Sequence, residues 1–410
     1  MKRRFLFSGL VVLSLLILVS SCDLFNGGDE PENKNKYLVS KTLLMTYPEV
    51  VVKKTFEQIG KVYSDAADLS KNVKYGFFVY KVNYNTTFNN QKVVASGLVC
   101  VPMATGNMPL LSFQNGTNTL HAKAPSEAYM DSLFVLIQSV SSFGYIVTLP
   151  DYLGFGASKN MFHPYLHKAS TIQTVTDLFR ATQEMMKDYP TMQMSKDTYL
   201  MGYSQGGWAT MVLKKELETN LSAEFNLKAT ACGAGPYDLQ FICGKILGQS
   251  TYPQPYFLAY MMNAYIKTGE ISLSYADIFN SPYSGTNYIS DLYNGKNDGG
   301  TINSKLSTSV STLFTADVIA NLSTGGKYLS LWEALRNNSV TAWKTTTPTF
   351  MVHGLGDTYV MPGVSNNMYL DFILKGTSLD MITYVPVPLL DHTEAVIPWG
   401  LLSAKWIVTK

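Results

Sequence analysis

The chain predicts an α/β fold, a mostly parallel central sheet with helices on both faces, on three observations. From about residue 73 onward, short apolar runs alternate with stretches of helical period. Several runs end at turn signals, Gln114-Asn115-Gly116-Thr117, Pro150-Asp151 and Gly202 among them. The rhythm stops once, between about Asp238 and Thr347, which predicts an inserted unit rather than a second sheet.

Val73 to Tyr84 (VKYGFFVYKVNY) and Lys92 to Val101 (KVVASGLVCV) read as an opening pair of strands. Leu110 to Phe113 is short and apolar and runs into the turn cluster Gln114-Asn115-Gly116-Thr117. Tyr145 to Leu149 reads as a buried strand ending at Pro150-Asp151. Ile172, Val175, Leu178, Phe179, Thr182 and Met185 then fall on one helical face. Asp197 to Met201 predicts a strand entering Gly202, and Lys228 to Cys232, Pro348 to Val352 and Met381 to Pro386 complete the series. A final helix is expected from about Glu394 to Val408. The interruption holds helix-like pieces (Tyr256 to Ile266, Tyr328 to Arg336) among Gly-, Ser- and Asn-rich loops. It is dense in tyrosine, with Tyr252, Tyr256, Tyr260, Tyr265, Tyr275, Tyr283, Tyr288 and Tyr293. A cap over a site is the expectation, with a helical appendage as the alternative.

Lys2-Arg3-Arg4, the uncharged run Phe5 to Ser21 and then Cys22 describe a secretory signal. Val19-Ser20-Ser21-Cys22 resembles a bacterial lipobox. That resemblance implies cleavage before Cys22, lipid on its sulfur and an anchor on a bacterial membrane, either the outer membrane or a periplasmic face. A transmembrane helix is the alternative, but the run is short for one. Asp23 to Lys36 is polar and reads as a tether. The expected organisation is therefore a leader at 1–21, a lipidated tether at 22–36, a core at 37–237 and 346–410, and a cap at 238–345.

The formal charge of +2 includes three leader cations, so the mature chain has 29 Lys and Arg against 30 Asp and Glu, near −1. No basic field exists for nucleic acid. Besides Cys22, the cysteines are Cys100, Cys232 and Cys243. Export permits a disulfide, and Cys232 and Cys243 are close enough in sequence to pair. None has metal-ligand spacing, and His163 and His167 are separated by Pro164, so no metal or cofactor is expected and a packed surface-loop role suits both histidines.

Gly202-Tyr203-Ser204-Gln205-Gly206 matches G-x-S-x-G. A strand leads into it, and the apolar helix with Trp208, Met211, Val212, Leu213 and Leu217 follows. Strand, turn and helix in that order put a serine on a sharp elbow, the arrangement of an α/β-hydrolase. A serine hydroxyl needs a base, and the base needs a carboxylate to orient it. In this fold the order is serine, acid, histidine. Of five histidines only His353 and His392 follow Ser204. His392, between the last strand and last helix, is the expected base. Asp357, on the turn after Pro348 to Val352, is the expected acid. Asp391 competes, but neighbouring side chains in a loop point apart. His353 suits a role in shaping the Asp357 turn. The oxyanion donors are expected at the Gln205 amide and at Gly116 or Thr117.

Pro150-Asp151-Tyr152-Leu153-Gly154-Phe155-Gly156, His163-Pro164-Tyr165-Leu166, the helix with Arg180-Ala181, the elbow GYSQGG, the turn HGLGD and the loop DHTEA together resemble the secretory lipase family. The resemblance covers about residues 95 to 240 and 345 to 408. It implies an α/β-hydrolase with a cap between the sixth and seventh strands, cleaving carboxylic esters. The chain departs from the family at the oxyanion loop, where Gln-Asn-Gly-Thr stands in place of a histidine before the glycine. The expected function is a serine esterase or lipase working through an acyl-enzyme. The alternatives are an exported serine peptidase of the same fold and a non-catalytic surface lipoprotein binding glycans through its tyrosines.

Overall fold

A computed structural model describes residues 35–285 and 287–410. The leader and Cys22 lie outside the described residues. The described chain builds a nine-stranded sheet in the order β1-β2-β3-β5-β4-β6-β7-β8-β9. The strands are β1 (Leu38–Tyr47), β2 (Phe77–Phe88), β3 (Gln91–Pro102), β4 (Gly106–Gln114), β5 (Ile146–Pro150), β6 (Met192–Tyr203), β7 (Asn226–Gly233), β8 (Thr349–Gly354) and β9 (Ile382–Val387). β1, β2 and β3 pair antiparallel, as do β3 and β5, and every pairing from β5 to β9 is parallel.

Parallel strands covered on both faces are apolar on both faces, which is why the sequence reads as runs rather than alternation. In β3, Val99 and Val101 join one core while Leu98 and Cys100 join the other. The first core packs under α4 (Lys168–Met186) and α5 (Gln205–Thr219), through Leu178, Phe179, Trp208 and Leu213. The second packs under α1 (Glu49–Ile59), α2 (Ser64–Ser70), α3 (Ser132–Gln138) and the last helix, Val396–Ile407.

The expected strands all form, with β6 starting five residues earlier than the apolar run. β1, α1 and α2 had no counterpart in the sequence reading. β1 is an edge strand whose Val39 and Leu43 face solvent, so it carries no clean period. Its start is held by Glu184, whose carboxylate accepts the backbone N–H groups of Lys36, Tyr37 and Leu38 at 2.9, 2.8 and 2.7 Å. Cys232 and Cys243 are both buried free thiols, as is Cys100. Cys232 lies on β7 and Cys243 on the following helix, so nearness in sequence does not become a disulfide.

The stretch between β7 and β8 is helical. It contains α6 (Leu239–Leu247), α7 (Pro255–Thr268), short helical turns and the helix Leu329–Asn338. Leu258, Ile278, Phe279, Leu331 and Leu335 merge with the α4–α5 core, so this stretch packs on the body of the sheet rather than standing apart. The chain re-enters β8 past a buried ion pair. Lys214 on α5 reaches Glu218 at 2.7 Å and the Thr347 carbonyl at 3.1 Å. Glu218 also accepts from Trp343 Nε1, Thr345 Oγ1 and the Thr347 N–H, at 2.6, 2.7 and 3.2 Å.

This asymmetry predicts unequal losses. Glu218→Ala leaves a buried ammonium without its counter-charge, with only the Thr347 carbonyl and Oγ1 as acceptors, and is expected to cost about 3–5 kcal/mol of stability. Lys214→Met leaves the carboxylate with its other donors and is expected to cost markedly less. Urea denaturation of the two variants checks the order, and equal losses would contradict it.

Candidate active site

The elbow is built where β6 turns into α5. Ser204 takes φ 59° and ψ −123°, a conformation that costs a non-glycine residue about 1–3 kcal/mol. The surroundings enforce it. The Ser204 N–H donates to the Gly233 carbonyl on β7 at 2.9 Å, and the Ser204 carbonyl accepts from Trp208 N–H at 3.0 Å. Gly206 is required because a Cβ there would run into the Gln114 carbonyl at the end of β4. The loop after β4 therefore abuts the elbow.

Side chains from three strand ends converge here: Ser204 after β6, Asp357 after β8 and His392 after β9. His392 Nε2 lies 2.9 Å from Ser204 Oγ, and His392 Nδ1 lies 2.5 Å from Asp357 Oδ2. The carboxylate beside Nδ1 assigns the ring proton there, leaving the Nε2 lone pair toward the serine hydroxyl. All three residues are buried. His392 is further held by its own carbonyl, which accepts from Tyr203 OH at 2.8 Å. Its ring packs between Tyr203 and Tyr359, with centroids at 5.2 and 5.3 Å.

Asp357 sits in a cradle of donors. Oδ1 accepts from Tyr359 and Val360 N–H at 2.8 and 2.9 Å, and Oδ2 also accepts from His353 Nε2 at 3.0 Å. Burial raises the carboxyl, but the hydrogen bonds from His353 and His392 outweigh it and hold Asp357 at about 2. His353 is fully buried and anchored through Nδ1 to Ser365 Oγ at 2.7 Å, so it shapes the acid turn as the sequence suggested. Asp391 is exposed and accepts from Thr393 and Glu394 N–H, both at 2.8 Å. It orders the His392 loop, and the structure does not bring it to the ring.

The two expected oxyanion elements also meet at Ser204. Gln205 is the first residue of α5, so no preceding turn accepts its N–H. A side chain on Gly116 would project to within 3.8 Å of Ser204 Cβ and 3.5 Å of the Tyr203 carbonyl. Thr117 follows, its Oγ1 paired with Tyr165 OH at 2.8 Å.

From Ser204 a cleft of about 440 Å³, part of it open to solvent, extends under the inserted helices. Its walls are mostly apolar, with Leu239, Ile242 and Ile246 from α6, Leu258 and Met261 from α7, and Tyr165. Tyr260 stacks between Tyr165 and Tyr293, with centroids at 4.6 and 4.2 Å and nearly parallel planes. Tyr252 OH donates to the Tyr359 carbonyl at 3.0 Å. Tyr252, Tyr260 and Tyr265 thus tie the inserted helices to the body, while Tyr275, Tyr288 and Tyr293 bond within the insertion itself.

The surface-loop role expected for His163 and His167 is not what the structure has. Both are buried. His167 accepts the Ser170 N–H at the start of α4 and lies 3.3 Å from Glu270 beyond α7. His163 bonds Gln205 itself, at 3.0 Å between its Nε2 and the amide Nε2. The sequence carried no signal for this pair, because the partners lie 42 residues apart and meet only through the sheet order. Among the described residues no group of three or more His, Cys, Asp or Glu is arranged to hold a metal. No helix among them is long and apolar enough to cross a membrane.

Comparison with solved structures agrees with this architecture. The rice cell wall degrading esterase LipA from Xanthomonas oryzae superposes with a TM-score of 0.76 at 24% identity, covering 92% of this chain and 97% of that one. A solved structure from Legionella pneumophila gives 0.77 at 24% identity, covering 90% and 96%. The chain has the α/β-hydrolase fold. Candida antarctica lipase A is similar more distantly, at 0.63 and 17% identity over 92% and 83% of the two chains. The secretory lipase family model matches residues 124–268, from the loop before α3 to the end of α7. No curated protein matches the chain. In this fold the edge strand β1 precedes the strands read from the sequence, and the helical insertion lies between β7 and β8.

Proposed function

We propose that the protein is a serine carboxylic-ester hydrolase acting through an acyl-enzyme. The observation that carries this reading is the continuous chain Ser204–His392–Asp357 opening into an apolar cleft. Ser204 Oγ attacks the ester carbonyl while His392 Nε2 takes its proton. His392 then gives that proton to the leaving alcohol. Water then attacks the acyl carbonyl as His392 takes its proton, the bond to Ser204 Oγ breaks, and His392 returns the proton to Oγ as the acid leaves. Asp357 holds the ring and stabilises the imidazolium. The amides of Gln205 and of Gly116 or Thr117 stabilise the oxyanion.

The secretory lipase match, an esterase and a lipase among the similar structures, and the lipobox-like Val19 to Cys22 support an exported esterase. On this reading Cys22 carries the lipid and the chain is anchored in the cell envelope, with the helices at 238–345 as its cap. No cofactor is needed.

The test is hydrolysis of p-nitrophenyl butyrate by the detergent-purified chain, with covalent labelling by an organophosphonate ester. Turnover with a single adduct on Ser204 is expected. Turnover with an adduct elsewhere would overturn the assignment.

The apolar walls support an acyl or aryl group in the cleft. Ile246→Trp fills its α6 side and is expected to lower activity on p-nitrophenyl octanoate about tenfold or more relative to butyrate, since each buried methylene contributes about 0.8 kcal/mol. A chain-length series on the parent and variant checks this.

A further inference from the structure

His163 takes no part in the proton transfers above, yet it touches the residue that follows the nucleophile. Its Nδ1 lies 2.7 Å from the Leu153 carbonyl, so Nδ1 carries the proton and donates. Nε2 is then a lone pair and accepts from the Gln205 side-chain amide at 3.0 Å. Burial pushes the ring down to about 4, which keeps this neutral tautomer at physiological pH. Tyr152, Phe155, Tyr165 and Tyr260 cage the ring, with centroids between 5.1 and 5.9 Å.

Gln205 has little else to hold it. Its side chain is buried, and among the described residues its Oε1 has no partner. The backbone N–H of the same residue must point at the oxyanion to within a few tenths of an ångström. The neighbouring arm meets the same segment, because Tyr165 OH bonds Thr117 Oγ1 at 2.8 Å.

We propose that His163 is a positioning residue for the oxyanion site, fixing Gln205 and through it the direction of the first amide of α5. This role rests on the esterase reading. It adds a fixed acceptor from the β5–α4 loop to an elbow otherwise ordered by β6 and β7. A purely structural histidine would influence folding alone, whereas this one also influences how tightly the tetrahedral state is bound.

The experiment compares the full-length parent, His163→Phe, Gln205→Met and the double variant. It measures kcat and KM on p-nitrophenyl butyrate and the inhibition constant of butaneboronic acid, a tetrahedral mimic. His163→Phe keeps a caged ring and removes the acceptor, while Gln205→Met removes the donor and keeps the backbone N–H. Each single variant is expected to lose about tenfold or more in kcat, short of the 10²–10³ lost when an oxyanion donor is deleted. KM is expected within twofold of the parent, and boronate affinity is expected to fall in step with kcat. The double variant is expected to be no worse than the poorer single one, since both remove one interaction. A folded His163→Phe with unchanged kcat and boronate affinity overturns the role, as do fully additive losses. Should His163→Phe not fold, Gln205→Met carries the same test, and unchanged kcat there overturns it. Parent turnover that survives Ser204→Ala would overturn the esterase reading itself. Loss in Ser204→Ala beside an unaffected His163→Phe overturns the role of His163 alone.

Discussion

Replacing Ser204 by alanine is expected to lower kcat on p-nitrophenyl butyrate by about 10⁴–10⁶, with the fold intact. On the proposed mechanism the size follows from losing the nucleophile while oxyanion donors and binding remain, which leaves a residual rate above water. The fold should survive because alanine keeps the Cβ and adds no strain at φ 59°, and the elbow is held by backbone bonds to Gly233 and Trp208 that the substitution does not touch. Only Oγ leaves, and with it the 2.9 Å bond to His392. His392→Ala is expected to lose a similar factor, and the double variant little more than either, because the side chains act as one unit. Steady-state kinetics on the three variants, with circular dichroism to confirm folding, checks this. A Ser204→Ala enzyme within tenfold of the parent would mean that another group attacks.

How much of this was legible differs from residue to residue for physical reasons. The elbow could be read because its constraint is local: within five residues the chain must turn so sharply that Gly206 presses on the Gln114 carbonyl. Asp357 and His392 could be placed because each follows a strand, and parallel strands deliver their ends to one edge of the sheet. β1 was missed because an edge strand with Val39 and Leu43 in solvent has no buried face to impose a period. α6 was missed although it carries its signals: Asp238 caps its start by accepting the Phe241 N–H, and Leu239, Ile242, Cys243, Ile246 and Leu247 recur at helical spacing on its buried face. His163 was visible in its motif but not in its role. Its partner is named by topology, which places the β5–α4 loop beside the first turn of α5.

Asp357→Asn is expected to lower kcat by about 10⁴ and to remove part of the pH dependence of stability. Four donors converge on this carboxylate: His392 and His353 on Oδ2, Tyr359 and Val360 on Oδ1. An asparagine has one oxygen for them. If that oxygen stays with the two backbone N–H groups, the amide nitrogen faces two ring N–H groups. His392 relieves the clash by moving its proton to Nε2, where it faces Ser204 and can no longer accept. The alternative rotamer sets the amide against Tyr359 and Val360 and loosens the turn. Either way His392 loses the lone pair or the fixed orientation that the proposed mechanism requires while the cleft remains, so kcat is expected to fall more than KM rises. For stability, the folded Asp357 titrates at about 2, below the ordinary value of 3.8. A depressed carboxyl stabilises the fold above its unfolded value and loses that contribution as pH falls toward its folded one. The contribution is about 2 kcal/mol at neutral pH. Urea denaturation of parent and variant should therefore show a gap at pH 7 that narrows between pH 5 and pH 3. A gap that stays constant over that range would mean that the carboxylate is not held ionised by its donors, and the account of how His392 is oriented would fail with it.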